Sequence, residues 1–166
     1  MEVFDLIAAK GETGIKYAEI LKLKSKIKQN TLKNIRDDLQ RLGLVEYKSP
    51  ILKINSDLLG QTHSDSEIAN YLANILNEHI VIKEIYQNNK PGTMMTQHQL
   101  HKIIANLYNL SVDNRTVNHY ATRMISWFYF AGLLEKGAGN NIKVPNGTSK
   151  QKGKRKNEEH QQLSLF

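Results

Sequence analysis

Residues 29–54 read QNTLKNIRDDLQRLGLVEYKSPILKI. Leu32, Ile35, Leu39 and Leu42 recur at offsets of 3, 4 and 3, which puts them on one stripe of an α-helix. Gly43 follows the last of them, where a helix commonly ends on a glycine. Two short runs come next, Leu44-Val45-Glu46-Tyr47 and Ile51-Leu52-Lys53-Ile54. Lys48-Ser49-Pro50 between them predicts a hairpin turn. Upstream, Val3, Phe4, Leu6, Ile7 and Ala8 form a short apolar helix that stops at Gly11 and Gly14. Tyr17, Ala18, Ile20 and Leu21 recur at helical spacing, and a lysine-rich turn leads into Gln29. Three helices followed by a hairpin are therefore expected within residues 1–60.

Residues 64–145 repeat the plan. Ser64 with Glu67 reads as a capping box, opening a helix through Ile68, Tyr71, Leu72, Ile75 and Leu76 that is expected to run to about Tyr86. Asn88-Asn89-Lys90-Pro91-Gly92 breaks it. Thr96 with Gln99 opens a second helix through Leu100, Ile103, Ile104 and Leu107. Asp113 is a candidate cap for a third, carrying Val117, Tyr120, Ala121, Met124, Phe128 and Leu133. Short strands are expected at Leu133-Leu134-Glu135 and Asn141-Ile142-Lys143-Val144. Arg41-Leu42-Gly43-Leu44-Val45-Glu46 parallels Phe130-Ala131-Gly132-Leu133-Leu134-Glu135, each at the end of a long helix and before a hairpin. Thr116 to Gly132 is longer than Thr31 to Gly43, so the second long helix should gain about one turn. Residues 146–166 form a polar tail. Its run Lys150-Gln151-Lys152-Gly153-Lys154-Arg155-Lys156 cannot bury a core and is expected to be disordered.

The chain has 166 residues, net charge +7 and no cysteine. Disulfides, cysteine-ligated zinc and thiol catalysis are excluded. The basic balance admits an anionic partner. Residues 1–60 carry 11 basic and 8 acidic side chains, residues 61–145 carry 7 and 6, and residues 146–166 carry 5 and 2. The tail thus holds charge out of proportion to its length. No apolar run reaches the roughly 18 residues of a membrane helix, and no basic-then-apolar leader opens the chain. The expectation is a cytoplasmic, nucleoid-associated protein.

Gly14-Ile15-Lys16-Tyr17-Ala18-Glu19-Ile20, followed by the helix ending in Leu42-Gly43-Leu44-Val45, resembles the winged-helix family of transcription regulators and replication initiators. The likeness covers residues 1–55 well and 65–145 less well. It departs where the family has a glycine between its second and third helices; Leu23-Lys24-Ser25-Lys26-Ile27 stands there instead. The resemblance implies a mainly α protein with short β-hairpins, built as tandem winged-helix-like domains. It also implies a recognition helix in the major groove of double-stranded DNA, with lysines on phosphates. The candidate readers are then Gln29, Asn30, Thr31, Lys33 and Asn34, with Arg36 and Gln40 behind them. Lys22, Lys24, Lys26 and Lys28 would approach the backbone. In the second domain the matching face offers Asn114, Arg115, Asn118, His119 and Thr122. Tyr120, Trp127, Phe128, Tyr129 and Phe130 are dense enough to serve as core plus an apolar edge for a homodimer or a protein partner.

Gln162-Leu163-Ser164-Leu165-Phe166 resembles, position for position, the pentapeptide by which bacterial proteins bind the DNA polymerase sliding clamp. The resemblance implies an extended peptide in an apolar cleft. Leu165 and Phe166 would fill a deep pocket and Leu163 a shallower one, with Gln162 hydrogen-bonded at the rim. Three large apolar side chains are enough for micromolar affinity after the tail is ordered.

Catalysis finds little support. His98 and His101 lie three apart with no third ligand near in sequence. Adjacent Asp37 and Asp38 diverge by about 100° on a helix. No glycine-rich phosphate loop is present, and no nucleophile, base and orienting acid assemble. The expectation is a non-enzyme without cofactor or metal. Its role would be DNA binding coupled to the clamp in replication, repair, a mobile element or defence. The alternatives are an adaptor whose winged helices hold another protein, and a repressor whose tail match is accidental.

Overall fold

A computed structural model describes residues 2–59 and 64–146. They form two compact units, divided between residues 59 and 64. The chain is mainly helical, with small antiparallel sheets. Among the described residues no helix is long and apolar enough to cross a membrane.

The first unit holds α1 (Glu2–Ala8), β1 (Ile15–Lys16), α2 (Tyr17–Leu23), α3 (Gln29–Arg41), β2 (Val45–Lys48) and β3 (Ile51–Ile54). The expected stripe on α3 turns inward, with Leu32 and Leu39 buried and Ile35 half-buried. They meet Val3, Phe4 and Ile7 of α1, Ile20 of α2, and Leu44, Val45, Leu52 and Ile54 of the hairpin in one core. Each such side chain stabilises the unit by roughly 1.5–3 kcal/mol before the entropy of ordering it. The sheet order is β1-β3-β2, with Ile15 opposite Leu52 and Tyr47 opposite Leu52 on its other side. The strand β1 is absent from the sequence expectation. Two residues are too few for a period, and Ile15 earns its burial by pairing with a strand 37 positions later.

The second unit holds α4 (Asp65–Leu76), α5 (Ile80–Asn88), β4 (Met94–Met95), α6 (Gln97–Leu107), α7 (Arg115–Phe130), β5 (Glu135–Lys136) and β6 (Ile142–Lys143). The single helix expected from Ile68 to about Tyr86 is two helices. The break falls at Asn77-Glu78-His79, where His79 N–H bonds to Leu76 O and the His79 ring accepts from the Val81 N–H. That side-chain cap lets a new helix start at Ile80, which continuous apolar spacing cannot reveal. The cap of α7 is Asn114, not Asp113: its side-chain oxygen accepts from the Thr116 N–H at 2.8 Å. Both capping boxes, Ser64 with Glu67 and Thr96 with Gln99, are formed.

The units share one plan. The order β4-β6-β5 matches β1-β3-β2. The long helices end identically. Gly43 N–H bonds to Gln40 O at 3.1 Å and Leu44 N–H to Leu39 O at 2.9 Å. Gly132 N–H bonds to Tyr129 O at 3.1 Å and Leu133 N–H to Phe128 O at 2.9 Å. This is the Schellman pattern, which needs a left-handed residue; Gly43 has φ 67° and Gly132 φ 68°. The helix α7 has 16 residues against 13 in α3, the extra turn the spacing predicts. Helix α4 has no counterpart in the first unit. It buries Ile68, Leu72 and Leu76 and packs on α7.

Candidate nucleic-acid interface

On α3 the face away from Leu32 and Leu39 exposes Gln29, Asn30, Thr31, Lys33 and Asn34. Lys26 and Lys28 are exposed ahead of the helix, and Lys22 is exposed on α2. These residues form one polar, cationic surface at the N-terminal end of α3. Lys28 is also the N-cap of α3, with no side-chain hydrogen bond to the helix, and Lys16 holds the same place on α2. A lysine there accepts nothing from the first N–H groups and adds positive charge to the positive end of the helix dipole.

Two of the sequence candidates are engaged elsewhere. Lys24 is half-buried, and its ammonium donates to the Glu2 carboxylate at 2.9 Å, which lowers the Glu2 pKa from the ordinary value. Arg36 faces the sheet side of α3 and not its exposed face. Its guanidinium donates to Asp37 Oδ1 and lies over the Tyr47 ring at 4.7 Å and the Tyr17 ring at 5.9 Å. Its side chain is 18% exposed, and the bond to Asp37 raises its pKa further. Arg36 thus ties α2, α3 and β2 together, with its guanidinium on Asp37 and against two tyrosine rings. Helical spacing alone put it near the readers; tertiary contacts with Tyr17 and Tyr47 draw it away. Tyr17 reinforces the cluster by donating its hydroxyl to Gln29 O at 3.0 Å.

The sequence reading left out Lys48 and Lys53 of the β2–β3 hairpin, both exposed. The signal was present. In Ile51-Leu52-Lys53-Ile54 burial alternates, so Lys53 must face out when Leu52 and Ile54 face in. Glu46 lies opposite Lys53 and within 3.8 Å of Lys48, which tempers their charge.

On α7 Arg115, Thr116, Asn118, His119, Thr122 and Ser126 are exposed, opposite the buried Val117, Ala121, Met124 and Phe128. Asn114 belongs to the fold as the helix cap, with its side-chain oxygen already used. Arg115 Nε donates to His119 Nε2 at 3.2 Å, and the Thr122 hydroxyl donates to Asn118 O at 2.8 Å. The α7 sequence, Arg115 to Phe130, contains no acidic residue, whereas α3 carries Asp37 and Asp38.

The inner side of α7 is fixed by a hydrogen-bonded chain. The Val81 N–H donates to His79 Nδ1 at 3.2 Å, so the neutral ring carries its proton on Nε2. Nε2 lies 3.1 Å from the Tyr120 hydroxyl oxygen and donates to it, and that oxygen lies 3.2 Å from the Tyr108 hydroxyl oxygen. Burial pushes the His79 pKa down to about 4, so the ring stays neutral at physiological pH. Tyr120 is two residues from both Asn118 and Thr122, so it leaves α7 on the side roughly opposite to them.

Among the described residues no group of three His, Asp or Glu side chains is placed to hold a metal ion. Gln162, Leu163, Ser164, Leu165 and Phe166 lie outside the described residues. Compared with family models, curated proteins and solved structures, the chain matches none of them.

Proposed function

We propose that this chain is a non-enzymatic DNA-binding protein of two winged-helix units, delivered to or retained at a bacterial sliding clamp by residues 162–166. The observation that carries the reading is the duplicated plan. Each unit aims the polar N-terminal face of its longest helix outward and follows that helix with a hairpin. A helix of that kind fits the major groove, where polar side chains meet base edges and flanking lysines meet phosphates. The lysine N-caps add support. Lys16 and Lys28 break a local rule of helix stability, and such breaches gather at functional sites. A polyanion would relieve the repulsion they create. For the clamp, support comes from the full match of Gln162-Leu163-Ser164-Leu165-Phe166 to the clamp-binding pentapeptide.

Two titrations of the full chain test the two halves. Binding to a labelled duplex is followed by fluorescence anisotropy from about 50 to 200 mM salt, where contacts to six or more phosphates predict a loss of about a thousandfold or more. Salt-independent or absent binding sinks the DNA half and leaves the adaptor reading. Binding to a purified bacterial clamp is compared with a Leu165→Ala, Phe166→Ala variant. Equal binding by both proteins removes the clamp assignment.

A further inference from the structure

We infer that α7 reads an A·T-containing step of duplex DNA, with Asn118 and Thr122 as the residues that determine specificity. This rests on the proposed entry of α7 into the major groove and adds which bases it reads. Arg115, Asn118, His119 and Thr122 lie at offsets of 3, 4 and 7, on one exposed face. Their hydrogen-bonding states differ in a way that selects partners.

The Thr122 hydroxyl is committed to Asn118 O at 2.8 Å, and the Ser126 hydroxyl to Thr122 O at 3.2 Å. With its proton on Asn118 O, the exposed Thr122 has no O–H left to donate to a base, and its methyl group is of the kind that matches the C5-methyl of thymine. The Asn118 side-chain amide has no partner among the described residues. It keeps its NH2 donors and its carbonyl acceptor side by side, the arrangement that matches N7 and N6–H of adenine. Arg115 donates to His119 and puts its cationic guanidinium at the edge of the same face. Asn118 and Thr122 are about 6 Å apart along the helix axis, the rise of about two base-pair steps. Within α7 no carboxylate stands beside them to repel phosphate; Asp113 lies exposed just ahead of the N-cap.

The corresponding face of α3 differs in chemistry. Counting back from the shared glycines, Gln29 stands where α7 has Asn118, and Lys33 stands where α7 has Thr122. A lysine is a point charge suited to phosphate, with no methyl to offer thymine. The two helices thus differ at this pair of positions: α3 offers an amide and a cation, α7 an amide and a methyl.

The experiment first selects duplexes from a random pool with the full chain. Within the selected site each adenine is then replaced by 7-deazaadenine and each thymine by uracil. One adenine is expected at which the loss of N7 weakens the wild type about tenfold and leaves Asn118→Ala unaffected. One thymine, within two base pairs of it, is expected at which loss of the methyl costs about fourfold in the wild type and nothing in Thr122→Ser. Thr122→Ser keeps the hydroxyl bonded to Asn118 O, so it removes the methyl without disturbing the helix. Base replacements that act equally on wild type and variants overturn the inference while leaving DNA binding in place. So does binding without any selected sequence. Failure to bind any duplex overturns the proposed function as well.

Discussion

The two units build the same plan from different local instructions. In the second unit every helix begins with a side-chain cap: Ser64 on α4, His79 on α5, Thr96 on α6 and Asn114 on α7. In the first unit α2 and α3 begin at Lys16 and Lys28, which cap nothing. Both units close their long helix with the same glycine-centred hydrogen bonds. The C-terminal stop is thus fixed by backbone geometry that glycine alone meets cheaply, whereas the start is free to vary. The first unit gives up stability at its helix starts and gains a cationic surface there. The second unit keeps its caps and adds α4 over α7. At the positions where α7 places Val117 and Tyr120, α3 places Lys28 and Thr31, both exposed. The first unit therefore presents no apolar stripe at that place for an extra helix to cover.

Four measurements test this contrast. The largest effect is expected from Phe128→Ala. Phe128 is fully buried and its ring packs edge-on against His79 at 5.7 Å. The substitution should destabilise the second unit by about 3–5 kcal/mol. Hydrogen exchange should show faster amides on α6 and α7 and unchanged ones on α3; equal acceleration in both units would mean that they unfold as one.

The pH dependence comes next. His79 has its pKa pushed down to about 4 from 6.5. The folded state favours the neutral ring, so the unfolded chain takes up the proton first. The contribution is complete above about pH 6.5 and falls as pH drops from 6.5 to 4, by up to about 3 kcal/mol. His79→Asn retains a good cap and removes the titrating ring. Urea melts of the second unit across that range should flatten in the variant; an unchanged slope would assign the dependence to other groups.

Glycine substitutions separate a close approach from a conformational preference. A Cβ on Gly14 would lie 2.5 Å from Leu52 O, and its φ of 69° with ψ of −176° is a region that only glycine readily enters. A Cβ on Gly132 meets nothing within 4 Å. Gly132→Ala should cost about 1–2 kcal/mol from its left-handed backbone alone. Gly14→Ala should cost more, because the β1–β3 pairing must also open. Thermal melts giving the reverse order would refute the close packing of Gly14 on β3.

The smallest effects test the caps. Lys28→Asn should stabilise the first unit by about 1 kcal/mol and Asn114→Ala should destabilise the second by about as much. Lys28→Asn should also weaken duplex binding and lower its salt slope by about one. A stabilised variant with undiminished binding would mean that Lys28 has no part in phosphate contact.

Much of this architecture is legible without coordinates. The stripe Leu32, Ile35, Leu39, the glycine stops and the two capping boxes involve residues within one or two turns of each other, so their physics is local. The polar faces of α3 and α7 follow from the same period. The division into α4 and α5 was hidden because His79 caps with a ring nitrogen, a role its sequence position does not advertise. The strands β1 and β4 were hidden because pairing with a distant strand, and not propensity, makes two residues extended.

Local residue patterns suffice to specify two apolar-striped long helices, each stopped by a glycine and followed by a hairpin. The chain also carries a net charge of +7 and a terminal QLSLF string. Which polar side chains are engaged by neighbours depends instead on the fold. Arg36 lies between Tyr17 and Tyr47, Lys24 is held by Glu2, Asn114 caps its helix, and the Asn118 amide has no partner among the described residues. The reason is range. Helical periodicity reports which face a side chain leaves from, but its hydrogen-bonding capacity is settled by partners that only folding brings within 3 Å.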